Sequence, residues 1–142
     1  MKGLSLHQVV LAQRVDDVHL NATADDLLRI GFAESLEDYN PDINWRTNLR
    51  IDDDLRCYVC DGILQCIFSE SSLLLNEINV IGISADALIS LLGAPDELSD
   101  WIDMNEVDQQ RTYEYPKLGL QIWADVRSVV VGAYVSDPEL IK

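Results

Sequence analysis

Apolar and polar positions alternate between two rhythms along this chain, and the change of rhythm divides it into elements. Between Ser84 and Gly93 the apolar residues Ala87, Leu88, Leu91 and Leu92 recur at helical spacing. Ser84 is placed to cap that helix, because a side-chain hydroxyl can accept from a free amide of the first turn. Asp86 meets the positive end of the helix dipole. Gly93 can take the left-handed conformation that ends a helix, and Pro95 prevents its resumption. A second, shorter helix follows Thr23, with Asp25 and Asp26 in its first turn, an apolar stripe of Leu27, Leu28 and Ile30, and Gly31 as its stop.

Elsewhere the pattern is that of strands. Residues 45–49, 55–60 and 63–68 read as strands in the first half, and 111–115, 118–123 and 129–135 in the second. Asp61-Gly62 between two apolar runs signals a hairpin, since a tight primed turn needs positive φ and glycine adopts it without strain. The run 129–135 is apolar on both faces and is expected to be a central, covered strand. Acidic connectors follow each helix. Residues 69–84 carry Leu73, Leu74, Leu75, Val80 and Ile81, too apolar for an open linker, so residues 1–142 are expected to form one domain.

The two helical segments also resemble each other. Residues 23–36 align on 84–98 with one inserted residue, at an offset of 61 that becomes 62. Each copy has a capping hydroxyl, an Ala-Asp pair, an apolar stripe, a glycine stop and an acidic tail. The internal repeat spans residues 20–69 and 81–136. The expected fold is therefore α+β, with two related helix–β-meander halves forming one antiparallel sheet and the helices packed on it.

Composition narrows the function. The 142 residues carry 25 Asp and Glu against 10 Lys and Arg, a formal charge of −15. Anionic surfaces repel such a chain, which argues against non-specific nucleic-acid or membrane-surface binding. The N-terminal stretch is interrupted by His7, Gln8, Gln13 and Arg14, and lacks the apolar run of roughly 7–15 residues that a signal peptide needs. No stretch of about 18 apolar residues suggests a membrane span. The expected location is the cytoplasm.

Motifs for catalysis are absent from the sequence. It holds no Gly-x-Ser-x-Gly elbow, no glycine-rich phosphate loop and no His-Glu-x-x-His, and its only imidazoles are His7 and His19. Cys57, Cys60 and Cys66 are odd in number, and Cys57-Tyr-Val-Cys60 lies within a strand pattern. Residues three apart on a strand point to opposite faces, so its sulfurs diverge and do not form a redox or zinc pair. Asp52, Asp53 and Asp54 lack the alternate spacing of a calcium loop. No cofactor or metal is expected, and no enzymatic activity.

The acids are unevenly spread. Glu34, Glu37, Asp38 and Asp42 form one cluster, flanked by Tyr39 and Trp45, and Asp52, Asp53 and Asp54 form a second. The densest comprises Asp96, Glu97, Asp100, Asp103, Glu106 and Asp108, uninterrupted by Lys or Arg, with Trp101 inside it and Met104 close by. An aromatic anchor ringed by carboxylates suits a cationic protein partner: the ring supplies desolvated contact, and the charges steer encounter.

Ile81-Gly-Ile-Ser84 leads into a helix, Leu91-Leu-Gly-Ala-Pro-Asp96 ends it, and Tyr113-Glu-Tyr115 and Leu118-Gly-Leu-Gln-Ile-Trp123 precede a closing apolar strand. These pieces resemble small acidic immunity proteins of bacterial contact-dependent growth inhibition and related polymorphic toxin systems. The resemblance implies a cytosolic protein that neutralises a cognate toxin domain, commonly a basic nuclease, by tight binding. The same helix-then-meander order also resembles tandem-repeat β-lactamase inhibitors and small envelope lipoproteins, which are exported. The contact surface expected from charge clustering is Asp96, Glu97, Asp100, Trp101, Asp103, Glu106 and Asp108, then Asp52, Asp53 and Asp54. Two other classes compete: an acidic adaptor or nucleic-acid mimic acting on a host protein, and a small enzyme using paired carboxylates.

Overall fold

The computed structural model describes residues 9–10, 14–15, 18–20, 22–40, 45–50, 55–70, 72–75, 78–104 and 108–136. In chain order, β1 (Val9–Val10), β2 (Arg14–Val15) and β3 (Val18–His19) form a small antiparallel sheet. Helix α1 (Ala24–Arg29) leads into β4 (Ala33–Asn40), β5 (Trp45–Arg50), β6 (Leu55–Cys60) and β7 (Ile63–Ser69). The short pair β8 (Leu74–Leu75) and β9 (Ile78–Asn79) precedes α2 (Ala85–Leu92). Then come β10 (Glu97–Leu98), β11 (Ile102–Asp103) and β12 (Gln109–Tyr115). A 3-10 turn at Pro116–Leu118 separates β12 from β13 (Leu120–Asp125), and β14 (Val130–Ser136) follows.

Among the described residues, nine strands make the main sheet, in the order β10-β12-β13-β14-β7-β6-β5-β4, with β11 also paired to β12. Every pairing is antiparallel. The protein is thus α+β, a large antiparallel sheet with two helices. Strand β14 lies between β13 and β7, the central place expected for residues 129–135.

One face of the sheet is closed by the core. Leu55, Cys57 and Val59 of β6, Leu64 and Ile67 of β7, Ile122 of β13, and Ala133 and Val135 of β14 point into it and are buried. Leu27 of α1, Leu88 of α2, Val15, Val18, Leu73 and Val80 meet them there. Tyr113 and Tyr115 also belong to this face. The Tyr115 hydroxyl donates to the Gly93 carbonyl at 3.0 Å and ties the end of α2 to the sheet.

Helix placement follows from local hydrogen bonding. At α1, Thr23 Oγ1 accepts from the Asp26 amide (3.2 Å), and Asp26 Oδ2 accepts from the Thr23 amide (3.0 Å). This reciprocal pair is a capping box. Those bonds, led by the Thr23 amide, hold the Asp26 carboxyl below its usual range. At α2, Ser84 Oγ accepts from the Ala87 amide at 3.1 Å, and Gly93 closes the helix at φ 86°. Each helix start is also fastened to a hairpin turn. The Ala24 amide donates to the Gly62 carbonyl (2.9 Å), and the Ala85 amide to the Ser128 carbonyl (2.7 Å). Asp61 and Gly62, at φ 53° and 78°, form the primed turn expected between β6 and β7.

Several expectations shift in detail. Ala87 and Leu28 are exposed, whereas Ala85 and Leu27 are buried, so the helices turn a slightly different stripe inward. The strand expected from residue 118 starts at Leu120. Pro116 opens a 3-10 turn, and Gly119 ends it in the left-handed region at φ 68°. Residues 33–40 form β4 where an acidic connector was expected. An edge strand is held by backbone bonds on one side and does not require an alternating apolar face. The same applies to β10 and β11 within the second connector.

Candidate functional site

Two regions of the main sheet carry features that the core does not require. The first is its β10–β11 edge. Glu97 stands opposite Glu114 and Leu98 opposite Tyr113, while Ile102 stands opposite Gln110 and Asp103 opposite Gln109. Between the two short strands, Ser99 substitutes for a ladder residue. Its amide donates to the Thr112 carbonyl (3.0 Å), and its Oγ accepts from the Thr112 amide (2.8 Å). The chain then bulges outward at Asp100 and Trp101. Such an interruption leaves no long free edge for indiscriminate strand pairing.

Asp96, Glu97, Asp100, Asp103 and Asp108 are all exposed along this edge, with Glu97 on the side of Glu114 and Asp103 on the side of Gln109. Glu106 and the cluster Asp52, Asp53 and Asp54 lie outside the described residues. Leu98, Trp101, Ile102 and Met104 are interspersed with the acids and keep 38–49 % of their surface exposed. Trp101 is therefore not a core residue. Its ring lies 4.4 Å from the Arg111 guanidinium, a cation–π contact that fixes its orientation. Arg111 Nε is buried there without a hydrogen-bond partner. The acidic run contains no cation in sequence, but the fold supplies one from the adjacent strand. Asp103 Oδ1 accepts from Gln109 Nε2 at 2.7 Å.

The second region lies on the face of the sheet opposite the core. Register places Glu97, Glu114, Gln121, Tyr134, Phe68 and Arg56 in one row across six strands, from β10 to β6. Directly paired residues project to the same side, so the row is a continuous cross-strand ladder. Beside it, Ser136, Cys66 and Tyr58 form a parallel row. A hollow of about 390 Å³ opens here, lined by Tyr58, Tyr134, Cys66, Gln121 and Glu114, with Pro116 at its rim.

The hollow is held open by specific packing. Phe68 and Tyr134 rings lie 4.6 Å apart, and Tyr58 and Tyr134 rings 5.9 Å apart. Gly132 gives Phe68 room: a Cβ there would come within 3.0 Å of the Phe68 ring. Trp123 Nε1 donates to Gln121 Oε1 (2.9 Å), and Gln121 Nε2 donates to Glu114 Oε1 (2.8 Å). This relay fixes the Glu114 carboxylate. Burial pushes the Cys66 thiol up to about 12. Burial, reinforced by Tyr58, also raises the Tyr134 phenol to about 12. At neutral pH neither is an anionic nucleophile; both are neutral walls.

The remaining candidates fall elsewhere. Cys57 is on the buried face of β6, and Cys60 is on the other, as strand geometry requires. Among the described residues no three metal-binding side chains converge. His19 is exposed on β3, and His7 lies outside the described residues. No described helix is long and apolar enough to cross a membrane. No family model, curated protein or solved structure matches this chain.

Proposed function

We propose that this protein is a cytoplasmic immunity protein that binds and neutralises a cognate toxin domain, a basic nuclease, and does no chemistry itself. The observation that carries this reading is the β10–β11 edge, where five exposed carboxylates flank four exposed large apolar side chains. Apolar area gives contact energy once desolvated, and the surrounding charges raise encounter rates and disfavour anionic competitors. A positively charged catalytic cleft, built to hold phosphates, is complementary to such a surface. We further propose that the helix-plus-meander halves derive from one repeated unit joined through β7 and β14.

The test is co-purification with the product of the preceding gene, and protection of cells that express it. The expected result is a one-to-one complex that weakens as salt rises. A complex formed only with an unrelated host protein would favour the adaptor reading. Turnover of a small substrate by the purified protein would contradict both.

A further inference from the structure

The tyrosine-lined hollow lies on the face of the sheet away from the core, and its chemistry points to a particular occupant. Two tyrosine rings border it, and a carboxylate stands at one side. Glu114 Oε1 already accepts from Gln121, while Oε2 has no protein partner among the described residues. Across the β10–β12 pair, Glu97 faces Glu114. Like charges set directly opposite each other destabilise a sheet, and a cation between them removes that cost. At the other end of the ladder is Arg56, beyond Phe68. The row therefore runs from negative to positive, which directs an incoming cation to the Glu114 end.

We propose that the hollow receives an arginine side chain of the protein partner, its guanidinium over the Tyr134 ring and directed at Glu114. This rests on the binding role proposed above and extends it from the edge onto the adjoining face. Arginine suits the site better than lysine because its planar head can stack on an aromatic ring and pair with a carboxylate through two donors. The volume of about 390 Å³ lies in the range of small-ligand pockets, about 300–1,000 Å³. Glu97 joins the two regions: it belongs to the acidic edge and, through Glu114, to the ladder.

The full-length protein is titrated with N-acetyl-arginine amide while its NMR spectrum is followed, with N-acetyl-citrulline amide as an uncharged probe of the same shape. Saturable shifts at Gln121 and Tyr134 are expected, at least tenfold weaker for citrulline and tenfold weaker in Glu114→Gln. Equal affinity for both probes, absence of saturation, or shifts confined to the β10–β11 edge would overturn the assignment. The same variant is then assayed against the partner, with an unchanged urea midpoint showing that it folds. A tenfold loss of affinity supports the inference. If Glu114→Gln binds like the parent while reversing Asp100 and Asp103 abolishes binding, the arginine site is wrong and the acidic edge stands. If neither variant weakens binding, both readings fall.

Discussion

The β10–β11 edge and the tyrosine hollow are neighbours built in opposite ways. The edge is local: its acids and apolar residues come from one stretch between Asp96 and Asp108, pinned to β12 by Ser99 and a few ladder bonds. The hollow is assembled from distant segments, β6, β7, β12, β13 and β14, and exists only because their registers align. Substitutions on the edge should therefore change recognition and leave folding nearly intact. Substitutions under the hollow should disturb the sheet itself. Glu97 is common to both, an acid of the edge that pairs with Glu114 of the hollow.

That contrast can be broken by mutation. The largest expected effect is on recognition: Trp101→Ala should weaken partner binding by about 2 kcal/mol or more, roughly thirtyfold, as measured by calorimetry. Its folding cost should be smaller, about 1 kcal/mol, because the residue keeps 39 % of its surface exposed and the stack on Arg111 is lost. Gly132→Ala should show the reverse. Its new Cβ meets the Phe68 ring, and that ring supports Tyr134. A net stability loss of about 1 kcal/mol by urea unfolding is expected, the strain exceeding the gain in backbone entropy.

A pH series sharpens the same difference. The Cys66 thiol and Tyr134 phenol stay protonated in the fold up to about 12, whereas unfolded they ionise near 9.0 and 10.0. Their contribution is fully present below about pH 9 and is lost as pH rises towards 12, because the unfolded chain releases those protons first. Cys66→Ala should flatten the beginning of that decline in urea titrations, and Tyr134→Phe its later part. The smallest effect is expected at the exposed edge. Asp103→Asn should change the unfolding free energy by less than about 0.5 kcal/mol, since the amide oxygen can still accept from Gln109.

Much of this organisation was legible in the residues themselves. Ser84 and Gly93 bracket α2, Thr23 begins α1, and Asp61-Gly62 marks the β6–β7 turn, because caps and primed turns depend on individual side chains and backbone angles. Strands β6 and β14 show their burial in their apolar patterns. Strand β4 does not, since its apolar residues Ala33, Leu36 and Tyr39 are three apart and its pairing is through the backbone. The two-residue strands β1, β2, β3, β8, β9, β10 and β11 are too short to show any period. The acidic edge was visible as a charge run, but Arg111 beneath Trp101 was not, being ten residues away in sequence. The hollow could not be read at all. Tyr58, Cys66, Glu114 and Tyr134 come together only through strand order and register, which a single sequence leaves open.

The proposed role rests on electrostatic capture by the β10–β11 edge, and its most direct test is the association rate of the partner as a function of ionic strength. Asp100→Lys/Asp103→Lys should slow association by about tenfold or more at low salt and reduce the steepness of the salt dependence. An unchanged rate, with an unchanged salt slope, would contradict it.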